Sequence, residues 1–162
     1  MENVNPGASS RTSAVIRASC DAIFDAFTTP EALVAWQAPG DMTAEIHEFD
    51  AHVGGGYRMS LYYPSTETEQ QGKTSDHEDQ YTSRFVELTR PTRIVQAIRF
   101  ASDDPAFAGE MTLTVDLQEK SDGTLVTMSF DNIPPGVRPE DNDAGTRSSL
   151  EKLAAYVEPR AN

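Results

Sequence analysis

Three histidines, one cysteine and a Gly-Lys-Thr tripeptide are the parts of this chain whose residue types suggest chemistry. The tripeptide, Gly72 to Thr74, invites a phosphate-loop reading, but Glu67 stands where that loop needs its first glycine. No apolar strand leads in and no apolar helix leads out, so the amide cradle and helix dipole that hold a phosphate are missing. His47 and His52 are five residues apart, which on a strand puts them on opposite faces and about 17 Å apart, too far to share a metal. His77 has carboxylates beside it, yet its spacing fits neither a helical His pair nor a calcium loop, so it reads as solvated loop charge. Neither a metal nor a cofactor is expected. Cys20 opens a predicted helix, but no His or Asn is tied to it by a recognisable pattern and there is no Gly-x-Ser-x-Gly elbow. It reads as a buried, inert thiol.

The stretch HEFDAHVGGGYRMSLYY, residues 47 to 63, carries three consecutive glycines before an alternating apolar run. A phosphate grip would need a helix after Gly54, Gly55 and Gly56; a strand follows instead. Glycines beside a strand permit a bulge, a tight bend or a close backbone approach, so these mark a sheet corner.

Positioning such a corner takes a core, and 162 residues are enough for one domain that buries about 70% of its unfolded surface. The single cysteine cannot form an internal disulfide, and neither a signal peptide nor a long apolar span is present, so a cytoplasmic location is expected. Thirteen Lys and Arg against 26 Asp and Glu give a formal charge of -13, which repels nucleic acid and anionic membranes. Residues 1–10 read as a flexible N-terminal tail and 11–160 as a single domain.

Within that domain, RTSAVIRAS reads as a first strand. Ser19 caps a short helix carrying Ile23, Phe24 and Phe27, and Thr29-Pro30 starts a second that turns Leu33 and Trp36 inward. From Thr43 the period changes to two. Tyr57, Met59, Leu61 and Tyr63 form one face, and QYTSRFVEL, TRIVQAIRF, GEMTLTVDLQ and TLVTMSFD follow as further strands. Asp122-Gly123 signals a hairpin between the last two, giving an antiparallel meander. Residues 64 to 80 are polar and read as a loop. After a Pro-rich break, Leu150, Leu153, Ala154 and Val157 give a long C-terminal helix its apolar stripe, with acidic residues at its N-terminal end.

Four blocks, in order, resemble the START-like helix-grip (SRPBCC) superfamily and, within it, the bacterial single-domain type of the family of activator of heat-shock-protein-90 ATPase homologues. They are SCDAIFDAFTTPEALVAWQAPGDM, HEFDAHVGGGYRMSL, RFVELTRPTRIV and DGTLVTMSFDNIPPGVRPEDNDAGTRSSLEKLAAYVE, together spanning about residues 12 to 158. The resemblance implies an α+β helix-grip fold: a curved antiparallel sheet of six to seven strands wrapped around the C-terminal helix, with two short helices after the first strand. It also implies an apolar cavity between sheet and helix, of about 300 to 1,000 Å³ if typical. The chain departs from the family pattern at His52, where Arg is common, and at Gly145-Thr146, where Gly-Trp often opens the last helix.

The expected function is therefore binding of a small, largely apolar molecule. Trp36, Tyr57, Met59, Leu61, Phe85, Met111, Leu113, Met128, Phe130 and Leu150 are the expected cavity wall, with Arg99 and tyrosine hydroxyls orienting a polar end. One alternative is an enzyme of the polyketide cyclase or dehydratase kind. It needs an acid and a base in the cavity, for which His47, Tyr57 and Arg99 are the candidates, and the absence of a recognisable catalytic motif leans against it. Another alternative is a co-chaperone-type interaction domain with a chaperone partner. A homodimer is compatible with all three.

Overall fold

A computed structural model describes residues 8–63 and 78–158. The first seven residues, the Gly-Lys-Thr tripeptide and His77 lie outside the described residues, as does most of the expected polar loop.

Strand β1 (Ala8–Ile16) leads to helices α1 (Cys20–Phe27) and α2 (Pro30–Trp36), followed by strands β2 (Thr43–Phe49), β3 (Gly56–Tyr62), β4 (Glu78–Thr89), β5 (Arg93–Phe100), β6 (Met111–Lys120) and β7 (Gly123–Ile133), and by helix α3 (Pro139–Val157). The seven strands form one curved antiparallel sheet in the order β1-β7-β6-β5-β4-β3-β2. This is the helix-grip layout that the sequence blocks implied. Two boundaries differ from expectation. Ala8 to Ser10, expected in the tail, belong to β1, because Ala8 pairs with Ile133 and Ser10 with Phe130. Strand β4 starts at Glu78, inside the expected loop, because its first residues pair with β3 as far as Tyr62.

Local chemistry sets the helix ends. Ser19 Oγ accepts from the Ala22 amide at 3.1 Å, as a cap should. Thr29 sits at the cap position of α2 but makes no side-chain cap bond; Pro30 presets the first turn and brings no amide to satisfy.

The glycine corner is built by backbone pairing. Gly54 N donates to Phe85 O at 2.9 Å and Phe85 N to Gly55 O at 2.8 Å, while Asp50 N donates to Gly56 O at 2.7 Å. A Cβ on Gly56 would lie 1.8 Å from Ser83 O, so only glycine allows β3 to come this close to β4.

Period two turns Ile94, Gln96 and Ile98 of β5, Leu113 and Val115 of β6 and Val126 and Met128 of β7 toward the concave side, where they are buried. Helix α3 covers that side with Leu150 and Leu153. It is pinned to β1 by Thr12, whose hydroxyl donates to Asp143, and by Asn142 Nδ2, which donates to Ser10 Oγ at 2.9 Å. Thr12 and Arg147 hold the Asp143 carboxyl below its ordinary range. No described helix is long and apolar enough to cross a membrane.

Candidate functional site

Between the concave face of the sheet, the end of α2 and the first half of α3 lies a partly open cavity of about 330 Å³. Its position follows from the end of α2. Trp36 is buried, donates from Nε1 to Ala26 O at 2.8 Å and meets Phe27 edge-on at 4.7 Å, which locks the last turn. The next residues are tied to α3: Ser149 Oγ donates to Gln37 O at 2.7 Å and Lys152 Nζ to Ala38 O at 2.5 Å. These bonds fix the distance between α2 and α3, and the cavity occupies the space that they leave above the sheet.

Of the expected wall, Trp36, Leu61, Leu113, Met128 and Phe130 line this cavity. Tyr57, Met59, Phe85, Met111 and Leu150 point the expected way but are packed within the core and do not line it. Arg99 does not reach it at all. It lies between the inward Ile98 and Phe100, so alternation sends it to the convex face, where its side chain is 64% exposed and 3.4 Å from Glu110.

His47 is also on the convex face. A bulge between Ile46 and Glu48 leaves it opposite no β3 residue, and its Nε2 lies 2.8 Å from Ser60 Oγ. Ser60 in turn donates to Glu78 Oε2 at 2.5 Å. This grouping holds the three residue types of a hydrolase but not their order, because the carboxylate accepts from the serine instead of orienting the histidine. Ser60 is fully buried, so no substrate reaches it. The depression beside His47, between α2 and β2, is a separate surface feature. Of the three catalytic candidates, only Tyr57 faces inward.

Cys20 is half-buried, not fully buried, with its sulfur 3.5 Å from Thr124 Oγ1. His52 pairs at the surface with Asp50. Among the described residues, no three His, Cys, Asp or Glu side chains gather as a metal site would require.

Beneath the cavity runs a buried polar network. Tyr57 OH donates to Gln96 Oε1 at 3.0 Å, and Ser83 Oγ donates to the same oxygen at 2.6 Å. Burial raises the Tyr57 pKa, against smaller opposing effects from the side chains of Gln37, Ser83 and Tyr81. Burial raises Tyr81 further still, with Tyr57 adding to it. A neutral buried phenol donates or accepts a hydrogen bond; it does not act as a base near neutral pH.

Several wall residues were not foreseen, among them Gln37 and Pro39 after α2 and Asp79 and Tyr81 on β4, whereas Gly145 and Thr146 on α3 were noted only as a departure from the family pattern near the cavity entrance. Their signals were present. The period of two running back from Phe85 through Ser83 and Tyr81 reaches Asp79, and Gly145-Thr146 is the place where the chain departs from Gly-Trp.

A family model described as Activator of Hsp90 ATPase homolog 1-like protein matches residues 17–158. No curated protein matches the chain in sequence. A crystal structure of a Chromobacterium violaceum protein is 31% identical and superposes with a TM-score of 0.81, covering 94% of this chain and 98% of that one. The AHSA1-like protein of Aeromonas hydrophila, solved by NMR, is 21% identical with a TM-score of 0.69 and coverage of 93% and 92%. An Arthrobacter aurescens protein, at 17% identity and a TM-score of 0.77, covers 98% and 94%. The last two share the fold.

Proposed function

The chain belongs to the family of Activator of Hsp90 ATPase homolog 1-like proteins, and from that premise we propose that it binds a small, largely apolar molecule between its sheet and α3. The observation that carries this reading is the cavity of about 330 Å³, within the range of small-molecule sites. Leu61, Leu113, Met128 and Phe130 offer apolar and adaptable surface, and Trp36 a rigid aromatic plane. The opening lets an apolar molecule bury its surface against this wall without first displacing packed side chains.

A cyclase-like reaction finds less support, since His47 and Arg99 lie on the convex face and Tyr57 lies beneath the wall. The family description favours a second reading, interaction with a chaperone; stimulation of a chaperone ATPase by the purified chain is its expected sign. The binding reading is tested by native mass spectrometry of freshly purified protein before and after denaturation. The expected result is an extra mass that denaturation removes. A bare chain mass, together with no uptake of the apolar dye N-phenylnaphthylamine, counts against it.

A further inference from the structure

Gly145 lies inside α3, a helix of 19 residues, where no residue short of proline is a poorer helix former. The backbone does not demand it. Gly145 has none of the positive φ found at Gly40 and Gly54. A Cβ built on it would meet only Pro39, whose Cβ and Cγ both lie 3.9 Å away, an ordinary van der Waals contact. What the missing side chain leaves is space, and that space borders the cavity, because Gly145 and Pro39 both line it. They stand at its rim: Gly145, Pro39, Met42 and Asn142 are half-buried, whereas Trp36, Leu113 and Met128 of the same wall are almost wholly buried. Farther along, α3 fills its contact with the sheet with Leu150 and Leu153. The segment that carries Pro39 is also held in place. Ser149 and Lys152 bond to Gln37 O and Ala38 O, and Gly40 N donates to Ser148 Oγ at 2.8 Å. A long side chain at 145 therefore occupies the rim instead of pushing Pro39 aside.

We propose that Gly145 determines the length of ligand the cavity accepts: with no side chain beside Pro39, the rim stays open to the end of an elongated apolar chain whose other end lies on Trp36 and Met128. This inference rests on the cavity being a ligand site. Each methylene that finds apolar contact there strengthens binding about fourfold, and one left in water adds nothing. A larger side chain at 145 takes the rim, so the gain per methylene stops at a shorter chain. Filling the position with a better helix former also stabilises α3. Reach along the ligand and stability of the helix therefore oppose each other at this residue, which a purely structural glycine would not show.

Straight-chain alcohols from butanol to dodecanol, displacing N-phenylnaphthylamine from the full chain, read that length. In the unmodified chain affinity is expected to rise about fourfold per methylene and then level off. In Gly145→Leu the levelling comes about two methylenes earlier, a loss of about tenfold or more for the longest alcohol that still gains, while butanol stays within about twofold. Gly145→Ala is expected to melt about 2–4 °C above the parent; melting below it means that the backbone needs glycine and overturns the inference. A second variant keeps fold and rim apart: Pro39→Cys with Gly145→Cys in a Cys20→Ser background. Its Cβ positions, 3.9 Å apart, suit a disulfide. Oxidised, it should level off early; dithiothreitol should move the levelling back towards the parent in the same protein. An unchanged levelling point in both Gly145→Leu and the oxidised double-cysteine variant overturns the inference and leaves the cavity reading in place, as do alcohols that never displace a bound dye. Absence of dye uptake overturns the cavity reading, and this inference with it.

Discussion

Gln96→Met tests the polar network beneath the cavity. Gln96 is 1% exposed and its Oε1 is the acceptor for both Tyr57 OH and Ser83 Oγ, so methionine keeps the length of the side chain and removes that acceptor. Each stranded hydroxyl costs about 1–3 kcal/mol. Against this, Gln96 Nε2 is itself buried without a partner, and its removal returns a similar amount once. The net expectation is a loss of about 2 kcal/mol, which for a domain of this size lowers Tm by about 4–8 °C. Urea unfolding, followed by the fluorescence of the single tryptophan and by circular dichroism, should show a lower midpoint with an unchanged slope. The triple variant Tyr57→Phe, Ser83→Ala, Gln96→Met should recover at least half of the loss, because hydroxyls that are gone need no acceptor. A single variant as stable as the parent, or a triple variant worse than the single one, refutes the argument.

Gly56→Ala places a Cβ 1.8 Å from a backbone oxygen, and the expected cost is at or above the upper end of the roughly 1–3 kcal/mol of ordinary overpacking; a urea midpoint within error of the parent contradicts the close approach at the corner. The raised pKa values of Tyr57 and Tyr81 mean that above about pH 10 the unfolded chain loses phenolic protons that the folded chain keeps. Stability from these groups is therefore full below pH 10 and falls above it, and Tyr57→Phe should flatten the alkaline limb in urea midpoints measured against pH. His47→Ala and Arg99→Ala should leave N-phenylnaphthylamine affinity within about twofold, the scale of surface changes under 0.5 kcal/mol; a tenfold loss in either places the site on the wrong face.

Much of the architecture was legible because each element has its own period. Leu150, Leu153 and Val157 mark α3, the alternation from Met111 to Leu117 marks β6, and Gly56 next to Tyr57 marks the corner. Facing was harder wherever register breaks. The β2 bulge resets parity between Ile46 and Phe49, so no count along the strand places His47. Arg99 was within reach, since Ile94, Gln96 and Ile98 already set the inward parity of β5. Beyond reach was the division between packed core and cavity wall. Met59 and Leu61 share a face of β3, yet only Leu61 lines the cavity. That difference depends on how far α3 stands from the sheet, which Ser149, Lys152 and Thr12 set through contacts more than a hundred residues apart in sequence.

The most direct test of ligand binding in this cavity is a fluorescence titration of N-phenylnaphthylamine into the unmodified chain and into Thr146→Trp. Thr146 lines the cavity on α3, and a tryptophan there fills it. The expected result is saturable one-to-one binding that weakens about tenfold or more in a variant that still melts cooperatively, the scale of losing one well-packed apolar contact surface. Absence of saturable binding, or binding indifferent to Thr146→Trp, contradicts the account.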